Sequence, residues 1–213
     1  MDQPDALALA DWRRQVAELY ADVRKFGQAD PLRAWEHWRI TRERLYREHP
    51  QSPVPEGQRA TFRAIHYAYD PRLRFEVAVE ATEEEADAPD GTWAGLPVSA
   101  GQEMGARRIG WLTVPLPSGP GRLALHWFRG YAGGLFLPLR DATNGETTYA
   151  AGRYILDTAK GADLGGDPSR ATFIVDLNFA YQPSCAFDPR WACPLAPPEN
   201  RLDVAIEAGE RIR

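Results

Sequence analysis

From Asp5 to Phe26 the apolar residues Leu9, Trp12, Val16, Leu19, Val23 and Phe26 recur at steps of three and four, and Gly27 follows them. Such spacing lays one apolar stripe along a helix, and the glycine stops it. Asp30-Pro31 supplies an N-cap and first-turn pair for a second helix, marked by Leu32, Trp35, Trp38 and Leu45 and ending before Pro50. The segment Gln51 to Gly57, with two prolines, reads as a linker. Residues 1–50 are thus predicted to form a helical arm.

Beyond the linker the period drops to two. Ile65, Tyr67 and Tyr69 share one face, Asp70-Pro71 turns the chain, and Leu73, Phe75, Val77 and Val79 alternate with Arg74, Glu76 and Glu80. That pattern predicts a β-hairpin. The acidic stretch Glu83 to Gly91 reads as a solvated loop at an edge. Shorter strands are predicted at Arg107 to Leu116, Arg122 to Arg129, Leu135 to Leu139, Tyr149 to Leu156, Thr172 to Asn178 and Leu202 to Ile206, divided by Gly, Pro and Asn-Gly turns. Short strands at this spacing, with no internal repeat, predict a mainly β body over residues 51–213. An antiparallel β-barrel or sandwich carrying an N-terminal arm of two helices, one domain overall, is the expected architecture.

Composition narrows the function classes. With 213 residues, 44% of them hydrophobic and 26% charged, the chain can bury a full core without disulfide or metal. Its net charge of −5 and its scattered arginines argue against nucleic acid as a partner. No run of about 18 apolar residues occurs, so no membrane partner is expected. The opening residues, Met1 to Trp12, are acidic and lack the basic start of a secretory signal, so a cytoplasmic protein is expected. Two cysteines, Cys185 and Cys193, are too few for a disulfide framework and are expected as free thiols.

The last third is denser in unusual residues. It carries Thr143-Asn144-Gly145, then Thr148-Tyr149, then Gly152-Arg153-Tyr154. After these come Asp176 and Asn178, Ala180-Tyr181, Cys185-Ala186, Cys193-Pro194-Leu195, Pro197-Pro198 before Asn200-Arg201, and Ala208-Gly209-Glu210. This ordered series resembles the uncharacterised bacterial and archaeal family catalogued as domain of unknown function 1684. The resemblance covers most of the chain, thinning over the first 50 residues and the acidic loop. It implies kinship and brings no activity with it. The family pattern has Asn where Gln182 stands here, which bears on any ligand contact made by that amide.

Several of these residues could carry chemistry. Alternation places Tyr149, Arg153, Ile155 and Asp157 on one strand face, and an Arg held there offers a rigid fork to a carboxylate or phosphate. The structural alternative pairs Arg153 with an internal carboxylate such as Asp176. In the next strand Ile174, Asp176 and Asn178 share a face while Phe173, Val175 and Leu177 hold the other. Asp176 must then point to water, a cavity or polar partners, and a secluded site would tune it as a general base. The structural alternative has Asp176 and Asn178 bonding loop backbone. Asn200 and Arg201 follow a rigid double proline that fixes their direction, or ties it to the wall.

Other signals are weaker. None of His37, His49, His66 and His126 lies near the cysteines, so the ligands of a zinc site are lacking and no metal is expected. Cys185 and Cys193 are read as small, inert apolar side chains, and His66 and His126 as structural histidines. Turn chemistry alone explains Thr143, Thr147 and Thr148 beside Asn144-Gly145. No phosphate loop, dinucleotide fingerprint or nucleophile motif is present, so no cofactor is implied.

Two function classes remain. In the first, Tyr149, Arg153, Asp176, Asn178, Tyr181, Asn200 and Arg201 form a polar pocket at one end of the barrel for a small anionic metabolite. Asp176 and Arg153 would be its catalytic pair in hydrolase-like acid-base chemistry, and the other five would bind the ligand. That reading expects Arg153 and Asp176 on neighbouring strands facing one cleft. In the second, the same residues are an internal polar network in a non-catalytic structural or interaction module, and the helical arm mediates a homodimer.

Overall fold

A computed structural model of the chain describes residues 3–81, 95–101, 103–131 and 133–212. The acidic stretch Glu83 to Gly91 lies outside the described residues. The arm is two long helices, α1 (Gln3–Gly27) and α2 (Pro31–Glu48). Asp30 caps α2 by accepting from the backbone N–H of Arg33 at 3.0 Å, with Pro31 in the first turn as the sequence predicts. The apolar stripes meet: Leu19, Tyr20 and Val23 of α1 and Ala34, Trp35 and Trp38 of α2 are buried, and the Trp38 indole donates to the Tyr20 hydroxyl at 3.1 Å. The expected linker contains one short helix, α3 (Glu56–Arg59).

Among the described residues the body has ten strands: β1 (Ile65–His66), β2 (Arg74–Glu80), β3 (Gly95–Pro97), β4 (Glu103–Leu116), β5 (Gly119–Phe128), β6 (Gly134–Leu139), β7 (Arg153–Asp157), β8 (Gly166–Asp167), β9 (Thr172–Asp176) and β10 (Glu210–Arg211). One antiparallel sheet runs β7-β6-β5-β4-β2-β9-β8, with β3 on β4, and curls into a half-barrel. Beyond β9 the chain rounds a turn at Leu177–Phe179 and reaches β7, where Tyr154 and Tyr181 exchange backbone hydrogen bonds of 2.8 and 2.9 Å. An isolated bridge thus ties β7, one end of the sheet, to the segment that follows β9.

Leu112, Val114, Leu123, Leu125, Leu137, Leu139, Val175 and Leu177 fill one side of the sheet. A second core lies under the arm, where Trp35 and Trp38 pack with Phe136, Tyr154 and Phe179. At about 25 cal/mol per Å² the aromatic faces of α2 are a main tie between arm and body.

Three expected strands differ. Residues 65–69 do not form a hairpin with β2. Instead β1 pairs with the distant β10, and β2 lies between β4 and β9. Local alternation marks a strand but not its partner. The strand expected from Tyr149 begins at Arg153, because Gly152 turns the chain at φ 99°, where a Cβ would lie 2.5 Å from the Leu139 carbonyl oxygen. Leu202 to Ile206 is no strand. A parallel bridge joins Arg140 to the preceding Arg201, the Leu202 N–H donates to the Arg140 carbonyl at 2.8 Å, and the Val204 carbonyl accepts from the Ala142 N–H at 3.1 Å. Among the described residues no helix is long and apolar enough to cross a membrane.

Candidate functional site

The alternation of β9 builds the site. Val175 and Leu177 enter the half-barrel core with Phe173 packed against it, which turns Ile174 and Asp176 toward the arm. There they wall a cleft of ≈ 380 Å³. Arg74 and Glu76 of β2 and Phe179 continue that wall, and Val23, Arg24, Gly27, Pro31 and Ala34 of the arm stand opposite. A cleft of this size, part apolar and with a few convergent charges, suits a small molecule.

Asp176 is only 1% exposed. Its Oδ1 accepts from the backbone N–H of Asn178 at 3.0 Å and from the Asn178 side-chain amide at 2.8 Å. The Tyr69 hydroxyl donates to Oδ2 at 3.3 Å, and Arg74 Nε lies 3.7 Å from the same oxygen. Burial pushes the Asp176 carboxyl up to about 6, against the downward pull of Asn178, Arg74 and Tyr69. Burial and the Asp176 charge raise the Tyr69 phenol in turn, so it stays a donor. The group on the cleft wall is thus a carboxylate poised to exchange a proton near neutrality.

Arg74 is the least committed cation of the cleft. Arg24 donates to the Asp163 carbonyl at 2.8 Å, and Arg170 is taken up by Glu76 and by Asp167 at 3.0 Å. The separation of Arg74 from Asp176 is too long for a hydrogen bond, and its side chain is 25% exposed. Among the described residues its side chain makes no hydrogen bond, which leaves the fork able to take an anion. Gly27 lies across from it: a Cβ there would be 4.0 Å from Arg74 Nη2.

Of the seven residues expected to converge, only Asp176 reaches this cleft. Arg153 and Asp176 are not on neighbouring strands, since β6, β5, β4 and β2 separate β7 from β9. Arg153 is fully buried, and Nη2 donates to Asp141 Oδ2 at 2.8 Å and to the Ile206 carbonyl at 3.0 Å. Its Nη1 donates to the carbonyls of Ala208 and Glu210. Its partner is the carboxylate of the Thr143-Asn144-Gly145 loop, where Asp141 also accepts from the Thr143 N–H at 2.9 Å.

Asn178 stitches the turn at Asp70, accepting from the Asp70 N–H and donating to its carbonyl, both at 2.9 Å. Asn200 is buried and donates to the carbonyls of Ala124 and Pro138 at 2.9 Å. Tyr181 packs edge-on to Tyr154 under the Arg42 guanidinium. Arg201 is exposed on the surface, 3.9 Å from Asp203. Tyr149 approaches Cys185, with its hydroxyl 3.8 Å from the sulfur. His126 is buried with Nε2 3.8 Å from Glu199, and burial lowers its pKa.

Sequence reading missed Arg74 and Tyr69, both of which stood in it as ordinary strand residues. It also missed a buried ion pair in which Arg42 of α2 grips Glu210 of β10 through bonds of 3.1 and 3.2 Å. Burial pushes the Glu210 carboxyl up, but Arg42 outweighs it and holds the group below the usual carboxylate range. The described residues contain no cluster of three or more His, Cys, Asp or Glu able to hold a metal.

A protein-family model described as "Protein of unknown function (DUF1684)" matches residues 60–211. No curated protein matches the chain. Among solved structures, the chain is similar to an uncharacterized protein of Haloarcula marismortui determined by solution NMR. The two share 29% identity over 81% of this chain and 89% of that one, with a TM-score of 0.57.

Proposed function

We propose, for a chain that belongs to the DUF1684 family of proteins of unknown function, that the cleft between the arm and β9 binds a small anionic metabolite and serves acid-base chemistry on it. The observation that carries this reading is a buried carboxylate on a cleft wall, raised to about 6, beside an arginine whose ion-pair partner among the described residues is that same carboxylate, 3.7 Å away. In this reading Arg74 holds the anion, Asp176 takes and returns a proton, and the Tyr69 hydroxyl orients the carboxylate oxygen that does so. Val23, Leu164, Ile174 and Phe179 supply the apolar wall. A cytoplasmic setting is part of the proposal and rests on two free thiols.

A screen of small mono- and dicarboxylates and phosphates by thermal shift tests it. A ligand that stabilises the wild type is expected to lose most of its effect in Arg74→Ala. Gly27→Leu should fill the cleft beside Arg74 while leaving every charged group in place, and with no positive φ to oppose it. A ligand response unchanged in both variants would remove the cleft from consideration.

A second reading has its own support. Arg153, Asn178 and Asn200, three residues expected in a pocket, are buried and hydrogen-bonded to the protein itself. That favours an internal polar network in a non-catalytic module, with the arm as a homodimer contact. Sedimentation over a range of concentrations distinguishes this reading: it requires self-association that substitution of exposed Leu7 and Ile40 on the arm abolishes.

A further inference from the structure

Away from the cleft, the chain doubles back between the turn Ser184–Ala186 and Cys193 and brings its two cysteines together. The Cys185 backbone N–H donates to the Cys193 sulfur at 3.3 Å, which sets the two residues side by side. Both are free, with Cys193 1% exposed and Cys185 9%. The surroundings are polar: the half-buried Tyr149 points its hydroxyl at the Cys185 sulfur from 3.8 Å, and Ser99 Oγ accepts from the Cys193 N–H at 3.0 Å. Two inert thiols packed as apolar groups need no such partners.

We propose that Cys185 and Cys193 are a redox-active dithiol, oxidised by a hydroperoxide, with Cys185 the attacking sulfur and Cys193 the resolving one. Cys185 is the more exposed of the two, and its sulfur accepts from the Tyr149 hydroxyl. The neighbouring Cys193 thiol, with the Tyr149 hydroxyl, holds the Cys185 thiol below the usual range, and Cys185 together with burial raises Cys193.

The Cys185 thiolate attacks one peroxide oxygen, the O–O bond breaks, and the departing hydroxide takes up a proton to leave as water. Cys185 is then a sulfenic acid. The Cys193 sulfur attacks it, the S–O bond breaks, and the hydroxide released takes the Cys193 proton and leaves as a second water. Each sulfur gives up one electron, and the two peroxide oxygens accept the pair. The product is a disulfide across a tight loop.

Hydrogen peroxide added to the native full-length chain, followed by denaturation and alkylation, tests the assignment. The expected result is loss of both alkylatable thiols in a monomer lighter by two hydrogens, reversed by a dithiol reductant. In Cys193→Ser, Cys185 should stop as a sulfenic acid that a cyclic 1,3-dione captures, whereas in Cys185→Ser the Cys193 thiol should survive. Two intact thiols under conditions that oxidise free cysteine would overturn the proposal. So would oxidation that ends in sulfinic acid or in dimers linked between chains.

Discussion

Arg153→Ala is expected to cost about 3–5 kcal/mol of unfolding free energy, the scale of breaking a buried ion pair from one side. The side chain is completely buried and meets a carboxylate, Asp141, whose own side chain is also fully buried. Its removal strands that charge and leaves the carbonyls of Ile206, Ala208 and Glu210 without their donor. Arg153→Lys should recover only part of the loss, because one ammonium cannot reach a carboxylate and three carbonyls spread over two nitrogens. Urea melts of both variants measure it. A loss under about 1 kcal/mol in Arg153→Ala would mean that the carboxylate finds other partners at little cost, and the network described here would not be holding the C-terminal segment.

Stability should respond to pH through two groups of opposite sign. Burial holds His66 down from 6.5 to about 4. The unfolded chain therefore binds the extra proton between those values, and the His66 contribution, present above pH 6.5, is lost as pH falls toward 4. Asp176 is raised from 3.8 to about 6. Here the folded chain binds the extra proton, so its contribution is complete below pH 3.8 and is lost as pH rises through 6. Each shift is worth roughly 3 kcal/mol at about 1.4 kcal/mol per pH unit, and between pH 4 and 6 the two nearly cancel. Asp176→Asn removes one of them. Relative to wild type, that variant should gain about 3 kcal/mol between pH 4 and pH 7, on top of any constant offset from altered hydrogen bonds. A difference that stays flat across this range would show that Asp176 titrates as an ordinary carboxylate and is no candidate base.

The arm was legible because its signals are local. The three-four spacing of Leu19, Val23, Trp35 and Trp38 and the Asp30-Pro31 start all act within a few residues, and α1 and α2 follow them. Asp176 was legible for a related reason: with Phe173, Val175 and Leu177 committed to one face, the acid had to lie on the other. What each of these residues would meet could not be read in the same way. The partner of Arg153 proved to be Asp141, twelve residues upstream in a loop whose turn residues concealed a buried ion pair. Arg74, from a strand nearly a hundred residues earlier, completes the Asp176 site only because β2 lies beside β9. Chain-distant pairings such as β1 with β10 leave no mark in local alternation.

The grip of Arg42 on Glu210 spans 168 residues of chain. On a ribosome adding about 5–20 residues per second, α2 emerges on the order of 10 to 30 seconds before the carboxylate that neutralises it. Through that interval the arginine has water for a partner, and β1 has no β10 to pair with. Trp35 and Trp38 likewise wait for Phe179 and Tyr154, so the indole face of α2 is made early and covered late. The arm is thus made well before the residues that cover it, and in that interval its exposed indoles are a surface for a chaperone to shelter.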